Sequence, residues 1–233
     1  MNGATMTVFT ILLTVGLYFI TLKIYLKIKI PLLTPLLLST TAIIIVLVSS
    51  GITFEQYKPG KEIMTFLLGP ATVGLALPLY LNRQLLRKMF LPILIGIACG
   101  SVSTLTTAVV LAKLSGLDTL LVTSLATKSI TAPIAIEISR IIGGDPAIAV
   151  AFVIFTGTLG SMIGASFLSL CKIGNPVARG LAMGVTSHGQ GTATILQEGQ
   201  LQGAMAGVAM ALSAVFISFV APFYVPWLLK LVS

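Results

Sequence analysis

The chain has 233 residues, of which 56% are hydrophobic and only 9% are charged, and its mean hydropathy is +1.07. Soluble globular domains carry about 25% charged residues. The composition therefore excludes an ordinary soluble domain and indicates a polytopic membrane protein.

The formal net charge of +8 would suit a nucleic-acid partner, but the positions of the basic residues favour another explanation. Many of them lie in short clusters between apolar runs, and Lys or Arg in short loops stays on the cytoplasmic side during membrane insertion. We therefore expect the charge to set topology, with no nucleic acid bound. The clusters are Lys23, Lys27 and Lys29; Arg83, Arg87 and Lys88; and Lys172 and Arg179.

The first predicted elements are two membrane helices. The apolar run at residues 5–22 comes before any Lys or Arg, whereas a cleaved signal peptide has its basic residues ahead of the apolar stretch. We expect a membrane helix with its N-terminal end outside. A second helix is predicted over residues 32–50, after Pro31, and the polar residues 52–62 are predicted to form an outer loop.

The next two apolar segments differ in continuity. Residues 63–81 are interrupted by glycines and prolines, whereas residues 90–112 are long enough to span a membrane. Glycines four residues apart let helix backbones approach closely, and we interpret three such pairs as packing positions. The interruptions are Gly69, Pro70, Gly74 and Pro78, and the pairs are Gly96/Gly100, Gly160/Gly164 and Gly203/Gly207.

A polar stretch at residues 119–142 carries helix-breaking signals. It follows Asp118, a good N-cap, and contains Lys128 near its middle and Pro133 after a Ser/Thr cluster. Because proline removes a backbone hydrogen bond and disturbs the preceding turn, we predict a discontinuous helix here. The next helix is predicted over residues 147–170, after the cap and proline of Asp145-Pro146.

A second polar stretch, residues 177–199, follows Asn175-Pro176 and surrounds the chain's only histidine, His188. Glycine in a helix costs roughly 1 kcal/mol relative to alanine, so the glycines of this stretch predict an unwound centre. A final helix is predicted over residues 203–229. The glycines are Gly184, Gly189 and Gly191.

These elements predict an all-α polytopic integral membrane protein in which residues 1–233 form a single transmembrane domain. If every segment crossed once, Lys172 and Arg179 would lie outside, against the charge rule. Making either residues 119–142 or residues 63–81 re-entrant removes this conflict. We expect about six to eight membrane segments, two of them discontinuous or re-entrant, and an inverted-repeat, elevator-like arrangement is one form this can take.

Two polar, interrupted segments in a short membrane chain are typical of secondary transporters. Half-helix N-termini attract anions, so Lys128 and these helix ends favour a carboxylate. His188 can donate a hydrogen bond or accept a proton during symport. The hydroxyl and amide groups that can bind the rest of a substrate belong to Ser129, Thr131, Ser187, Gln190 and Thr192.

Each charged or titratable candidate also has a structural interpretation. Lys128 can extend to the membrane interface or pair with Glu137, and His188 can be a hydrogen-bonded structural side chain. Glu137 and Arg140 are three residues apart on a predicted helix, which favours a local ion pair. Glu198 lies beside Gly199 and is expected to be solvated.

The sequence gives little support for a catalytic or metal-binding function. The chain has six acidic residues, none of which forms a carboxylate pair at useful spacing, and its one histidine cannot make a histidine-based metal cluster. Ser187 and His188 are adjacent, which does not make a nucleophile with its base. Cys99 and Cys171 lie in apolar runs and are expected to be buried small hydrophobes. We expect no enzyme, metal or cofactor.

Several motifs are distributed along the whole chain. They are residues 31–35, 51–57, 78–80, 128–135, 142–144, 178–184, and Ser187-His188 followed by Gly191-Thr192-Ala193. With these motifs the chain resembles the LrgB/CidB family of bacterial membrane proteins, including its YohK-like members, and the C-terminal half of the plastid glycolate/glycerate translocator. It departs from these relatives at Ala126-Thr127, where they commonly have leucine-proline, and at Gly189-Gln190, where they have alanine-leucine.

The resemblance implies two alternative functions in the bacterial inner membrane. One is transport of small monocarboxylates such as pyruvate, glycolate or glycerate, coupled to a proton or a sodium ion. The other is antiholin-like regulation of murein hydrolases and cell lysis. Both imply a small LrgA/CidA-like membrane partner, and we also expect a homo-oligomer. The residues favour the carrier, because a regulator has no need of Lys128 and His188 at two broken segments.

Overall fold

The computed structural model describes residues 3–28, 35–67, 80 and 83–232, which form helices and connecting turns without a strand. The predicted all-α class is confirmed for this part of the chain. Four of its helices are long and apolar enough to cross a membrane, namely Gly3–Ile28, Phe90–Leu114, Pro146–Leu170 and Gln200–Val232.

The chain divides into two compact units, Met1–Ala76 and Leu77–Ser233. The first unit contains α1 (Gly3–Ile28), α2 (Pro35–Ser49) and α3 (Phe54–Phe66). The second contains α4 (Arg83–Lys88), α5 (Phe90–Leu114), α6 (Thr119–Ala126), α7 (Ala132–Ile141), α8 (Pro146–Leu170), α9 (Pro176–Ile195) and α10 (Gln200–Val232). The predicted positions that lie outside the described residues are Lys29, Pro31, Gly69, Pro70, Gly74 and Pro78.

In the first unit, α1 packs against both α2 and α3. The prediction of a loop at residues 52–62 is wrong, because α3 begins at Phe54. The backbone N–H of Thr53 donates to Gln56 Oε1 at 2.9 Å, and this kind of reciprocal cap stabilises a helix start. Tyr57 Oη and Thr14 Oγ1, 2.9 Å apart, then hold α3 against α1.

In the second unit, all three predicted N-caps are confirmed. Each cap side chain accepts hydrogen bonds from backbone N–H groups that have no partner within the first helical turn. Proline follows two of these caps directly, at the position where its missing N–H costs least. The bonds are Leu121 N to Asp118 Oδ1 at 2.8 Å, Ala147 N to Asp145 Oδ1 at 2.8 Å and Val177 N to Asn175 Oδ1 at 2.9 Å.

Helices α6 and α7 form the first hairpin, with a tip at residues 127–131, where the predicted discontinuity lies. Two hydrogen bonds place the middle of α6 beside the end of α7. Thr123 Oγ1 donates to Gly143 O at 3.2 Å, and Asp145 N donates to Ser124 Oγ at 2.8 Å. The two helices therefore run in opposite directions.

Helix α9 forms the second hairpin, because its backbone leaves helical geometry at Ser187 and His188. The two arms are joined by an ion pair between Arg179 and Glu198, with Arg179 Nη2 2.5 Å from Glu198 Oε1. In a continuous helix these residues would be about 28 Å apart at 1.5 Å per residue, so the chain must fold back on itself. We call this ion pair the clasp.

Helix α8 packs against the second hairpin through its glycines. A Cβ atom on Gly160 would overlap the side chain of Ser187, and one on Gly164 would lie 2.5 Å from Met183 Sδ. The packing role predicted for this glycine pair is confirmed.

The expectation that the cysteines are buried is wrong, since Cys99 and Cys171 are both exposed in the chain. A membrane helix can be apolar on all sides, so an apolar neighbourhood in the sequence does not indicate burial in the protein core.

Candidate functional site

A cavity of about 620 Å³ in the second unit, open on one side, is lined by residues of both hairpin tips. Its walls come from α5, α6, α8 and both tips. Its polar lining consists of Thr104, Thr107, Lys128, Thr156, Thr186 and Ser187. Its apolar lining includes Leu125, Phe152, Phe155, Leu159, Ile163 and Phe167.

Lys128 is the one charged side chain among the described residues that line this cavity. It lies in the tip of the first hairpin, and its Nζ donates to Ser129 Oγ at 3.1 Å. The predicted alternative partner Glu137 instead pairs with Arg140, at 2.8 Å on the exposed side of α7, which confirms the predicted local ion pair. Two of the three ammonium protons of Lys128 thus remain available to an anion.

The other predicted binding residues lie around the tips rather than among the lining residues. Ser129 is 2% exposed and contacts Lys128, and Thr131 is the N-cap of α7. His188 is buried and its Nε2 donates to Val153 O of α8 at 3.0 Å. The sequence-predicted set is therefore divided, with Lys128 and Ser187 among the lining residues and these three outside the lining.

Two further predicted residues make hydrogen bonds within or beside the second arm of α9. Gln190 Oε1 accepts from Thr158 Oγ1 of α8 at 3.2 Å, and Thr192 Oγ1 donates to His188 O at 2.8 Å. The first bond joins α8 to α9, and the second lies within α9.

The predicted helix-breaking residues lie next to the tips. Pro133 is in the first turn of α7. In α9 the two non-helical residues are Ser187 and His188, and His188 has φ +40°, a region that few non-glycine residues occupy. Gly189 follows them directly, while Gly184 and Gly191 lie in the two arms.

The glycines of the arms serve close packing. A Cβ atom on Gly184 would collide with the Ala206 backbone of α10, and one on Gly191 would lie 2.6 Å from Met183 O in the opposite arm. The arms can therefore approach each other and α10 only because these positions lack side chains.

Four threonines of the cavity were not identified from the sequence, namely Thr104, Thr107, Thr156 and Thr186. Thr104 and Thr107 are three residues apart on α5, a spacing that places both on one helix face. A polar face on an otherwise apolar helix is the sequence pattern from which Thr104 and Thr107 could have been predicted.

The clasp lies at the base of the second hairpin, and Arg179 is 7% exposed. Its guanidinium donates to both carboxylate oxygens of Glu198, with Nε to Oε2 at 2.7 Å. Glu198 is exposed, as expected, and is also the ion-pair partner of Arg179. The remaining donors reach α8 and the turn after it, at Ala165 O, Ser169 Oγ and Ile173 O.

Comparison with known proteins gives a consistent result. The LrgB-like family matches residues 14–227. The chain is similar to YxaC of Bacillus subtilis (strain 168), at 37% identity over 228 residues, which covers 98% of this chain and 99% of that protein. It is 34% identical over 214 residues to YwbG of the same organism, covering 92% and 95%.

A third similar protein is the antiholin-like protein LrgB of Bacillus mycoides (strain KBAB4), at 36% identity over 197 residues, covering 84% of this chain and 86% of that protein. No solved structure matches the chain.

Proposed function

This chain belongs to the LrgB-like family and is a multi-pass membrane protein, and we propose that it carries small monocarboxylates across the bacterial inner membrane. The observation that supports this proposal is Lys128 in a cavity between two hairpin tips. A charged side chain at membrane depth costs at least about 2.5–3.5 kcal/mol. A carboxylate bound beside Lys128 would offset that cost.

In this proposal both hairpins are re-entrant, so that each enters the membrane and returns to the same side. Their tips then meet near the bilayer midplane, where transporters of this general design bind their substrates. A proton or a sodium ion is the coupling ion, and a small LrgA/CidA-like membrane protein is the partner.

Uptake of labelled pyruvate and glycolate into proteoliposomes tests the carrier function. We expect uptake above that of empty vesicles, and we expect Lys128→Ala to reduce it at least tenfold, because the variant removes the cation of the cavity. Lys113→Ala is the matched control, since Lys113 lies in the last turn of α5 and not among the lining residues.

Absence of uptake by the unaltered protein, both with and without the small partner, would contradict the carrier function. Full uptake by a folded Lys128→Ala protein would instead remove Lys128 from the binding site.

The second candidate function is regulation of murein hydrolases and cell lysis. It is favoured by the name of the similar antiholin-like protein LrgB. Lysis rates of cells that produce either the unaltered chain or Lys128→Ala separate the two functions. A regulator without transport activity would change lysis equally in both strains, whereas a carrier would lose its effect with Lys128.

A further inference from the structure

The short helix α4 presents three basic side chains, Arg83, Arg87 and Lys88, and all three are exposed. The sequence contains no acidic residue between Glu62 and Asp118. The ion pairs among the described residues involve other basic side chains. The three positive charges of α4 are therefore not neutralised by a carboxylate within the described part of the chain.

Helix α4 lies at the end of a membrane-spanning helix. Met89 alone separates it from α5, whose first two side chains, Phe90 and Leu91, are 61% and 63% exposed. Helix α5 has 25 residues, which at 1.5 Å per residue is about 38 Å, longer than a hydrocarbon layer of about 30 Å. The start of α5 therefore reaches the headgroup layer, and α4 lies beside the lipid phosphates. The charge rule predicts the cytoplasmic side for this end, where membranes carry acidic lipids.

Arg83 is held in position by Tyr80. The Arg83 Nη1 atom donates to Tyr80 O at 3.0 Å, and the guanidinium carbon lies 4.4 Å from the centre of the Tyr80 ring. A guanidinium has five N–H donors, so four remain for a ligand. Because the side chain is already ordered, binding an anion costs less conformational entropy than it would for a free arginine.

Arg87 follows Arg83 by four residues, a spacing that places both side chains on one face of α4. Arginine binds phosphate oxygens through paired N–H donors, and Lys88 adds a third positive charge. The exposed apolar start of α5 comes directly after this group. Two arginines on one face, next to an apolar helix surface, match a ligand that combines a phosphate with acyl chains.

We infer that α4 and Tyr80 bind the headgroup of an acidic phospholipid such as phosphatidylglycerol. The phosphate lies between Arg83 and Arg87, and the acyl chains lie along Phe90 and Leu91. This site is separate from the cavity at Lys128 and does not depend on whether the chain is a carrier. It gives the basic cluster a ligand in addition to its role in topology.

Binding of short-chain lipids to the purified full chain in dodecyl maltoside micelles tests this inference. The probes are dioctanoyl phosphatidylglycerol, dioctanoyl phosphatidylcholine and inorganic phosphate, and the affinities are measured by microscale thermophoresis. Each cation near an acidic lipid contributes roughly fivefold in affinity. We therefore expect phosphatidylglycerol to bind at least tenfold more tightly than phosphatidylcholine. Inorganic phosphate, which has no acyl chains, should bind at least tenfold more weakly than phosphatidylglycerol. Equal affinity of phosphatidylglycerol and either other probe would overturn the inference.

A variant links the lipid preference to α4. Arg87→Gln should weaken phosphatidylglycerol binding roughly fivefold and leave phosphatidylcholine binding unchanged. Arg140→Gln is the matched control, because it changes the net charge by the same amount, whereas Arg140 is already paired with Glu137 at 2.8 Å. The inference is wrong if the two variants bind phosphatidylglycerol equally tightly.

Photo-crosslinking of the unaltered protein locates the lipid without a substitution. The full chain is placed in vesicles of phosphatidylcholine that contain a small fraction of phosphatidylglycerol with a photoactivatable headgroup. We expect the strongest labelling in residues 83–91, and we expect excess unlabelled phosphatidylglycerol to suppress it. The exposed Lys23 and Lys27 of α1 provide the comparison within the same chain. Stronger labelling around these two lysines, or labelling that excess phosphatidylglycerol does not reduce, would overturn the inference.

Discussion

The two hairpins reach the same cavity by different physical means. The first turns over residues 127–131, and hydroxyl groups join its arms, as in the bond from Asp145 N to Ser124 Oγ. The second turns at Ser187 and His188 alone, and an ion pair between the buried Arg179 and the partly exposed Glu198 joins its arms. The longer, five-residue tip thus occurs with arms joined by hydroxyl hydrogen bonds. The two-residue tip occurs with arms joined by an ion pair.

This difference matches what each tip contributes. The longer tip has room to present Lys128, so the first hairpin supplies the charge of the cavity. The tight tip places His188 at φ +40°, and backbone conformations of this kind cost about 1–3 kcal/mol each. The second hairpin therefore depends on contacts elsewhere to keep its shape, and the clasp is one of them.

The largest effect is expected from breaking the clasp. Glu198→Ala leaves Arg179 buried without a carboxylate, and we expect a loss of about 3 kcal/mol in unfolding free energy, the low end for a buried pair, because the Glu198 side chain is 31% exposed. Unfolding in mixed micelles titrated with SDS measures it. Glu198→Gln keeps the acceptor oxygen and should lose less. Equal stability of Glu198→Ala and the unaltered protein would show that the clasp does not hold the second hairpin.

An intermediate effect is expected in the first hairpin. Ser124→Ala leaves the partly buried N–H of Asp145 without its acceptor, and we expect a loss of about 1–2 kcal/mol in the same titration. Ser218→Ala is the control, since the Ser218 hydroxyl donates to Ala214 O within α10. If both variants lose the same unfolding free energy, the bond between the arms of the first hairpin makes no specific contribution to stability.

The smallest effect is expected from the exposed ion pair of α7. The side chains of Arg140 and Glu137 are 61% and 66% exposed, so Glu137→Ala should change the unfolding free energy by less than about 0.5 kcal/mol. Measured beside Glu198→Ala, it separates a fully solvated pair from one whose arginine is buried. A loss as large as that of Glu198→Ala would refute the distinction between the two hairpins.

Features encoded by neighbouring residues were predictable from the sequence. The caps at Asp118, Asp145 and Asn175 depend on side chains that bond to amides two or three residues ahead. The discontinuity at Lys128 likewise depends on the adjacent hydroxyl cluster and Pro133. In each case the physical cause lies within one helical turn, so its signal is local.

Features set by distant contacts were not predictable in the same way. Arg179 and Glu198 are 19 residues apart, and only the fold-back of α9 brings them together. The glycines suggested an unwound centre, whereas the positive φ falls on His188, whose ring is fixed by Val153 O of another helix. The helix propensities of the residues do not indicate such a tertiary constraint.

The threonines that line the cavity could not be recognised from the sequence for a different reason. Threonine in a membrane helix commonly bonds to the carbonyl four residues earlier, as Thr107 does to Ser103 O. Residue type therefore does not separate a lining threonine from one that faces lipid. The distinction needs the position of the hairpin tips relative to α5 and α8.

The clasp also imposes an order on biosynthesis. Arg179 leaves the ribosome 19 residues before Glu198, and the other acceptors of its guanidinium, in Ala165, Ser169 and Ile173, have already been made. An arginine in apolar surroundings is costly until its counter-charge arrives. The second hairpin can therefore close only after residue 198 has been translated. The first hairpin is complete in the nascent chain earlier, before the cavity lined by both hairpins can form.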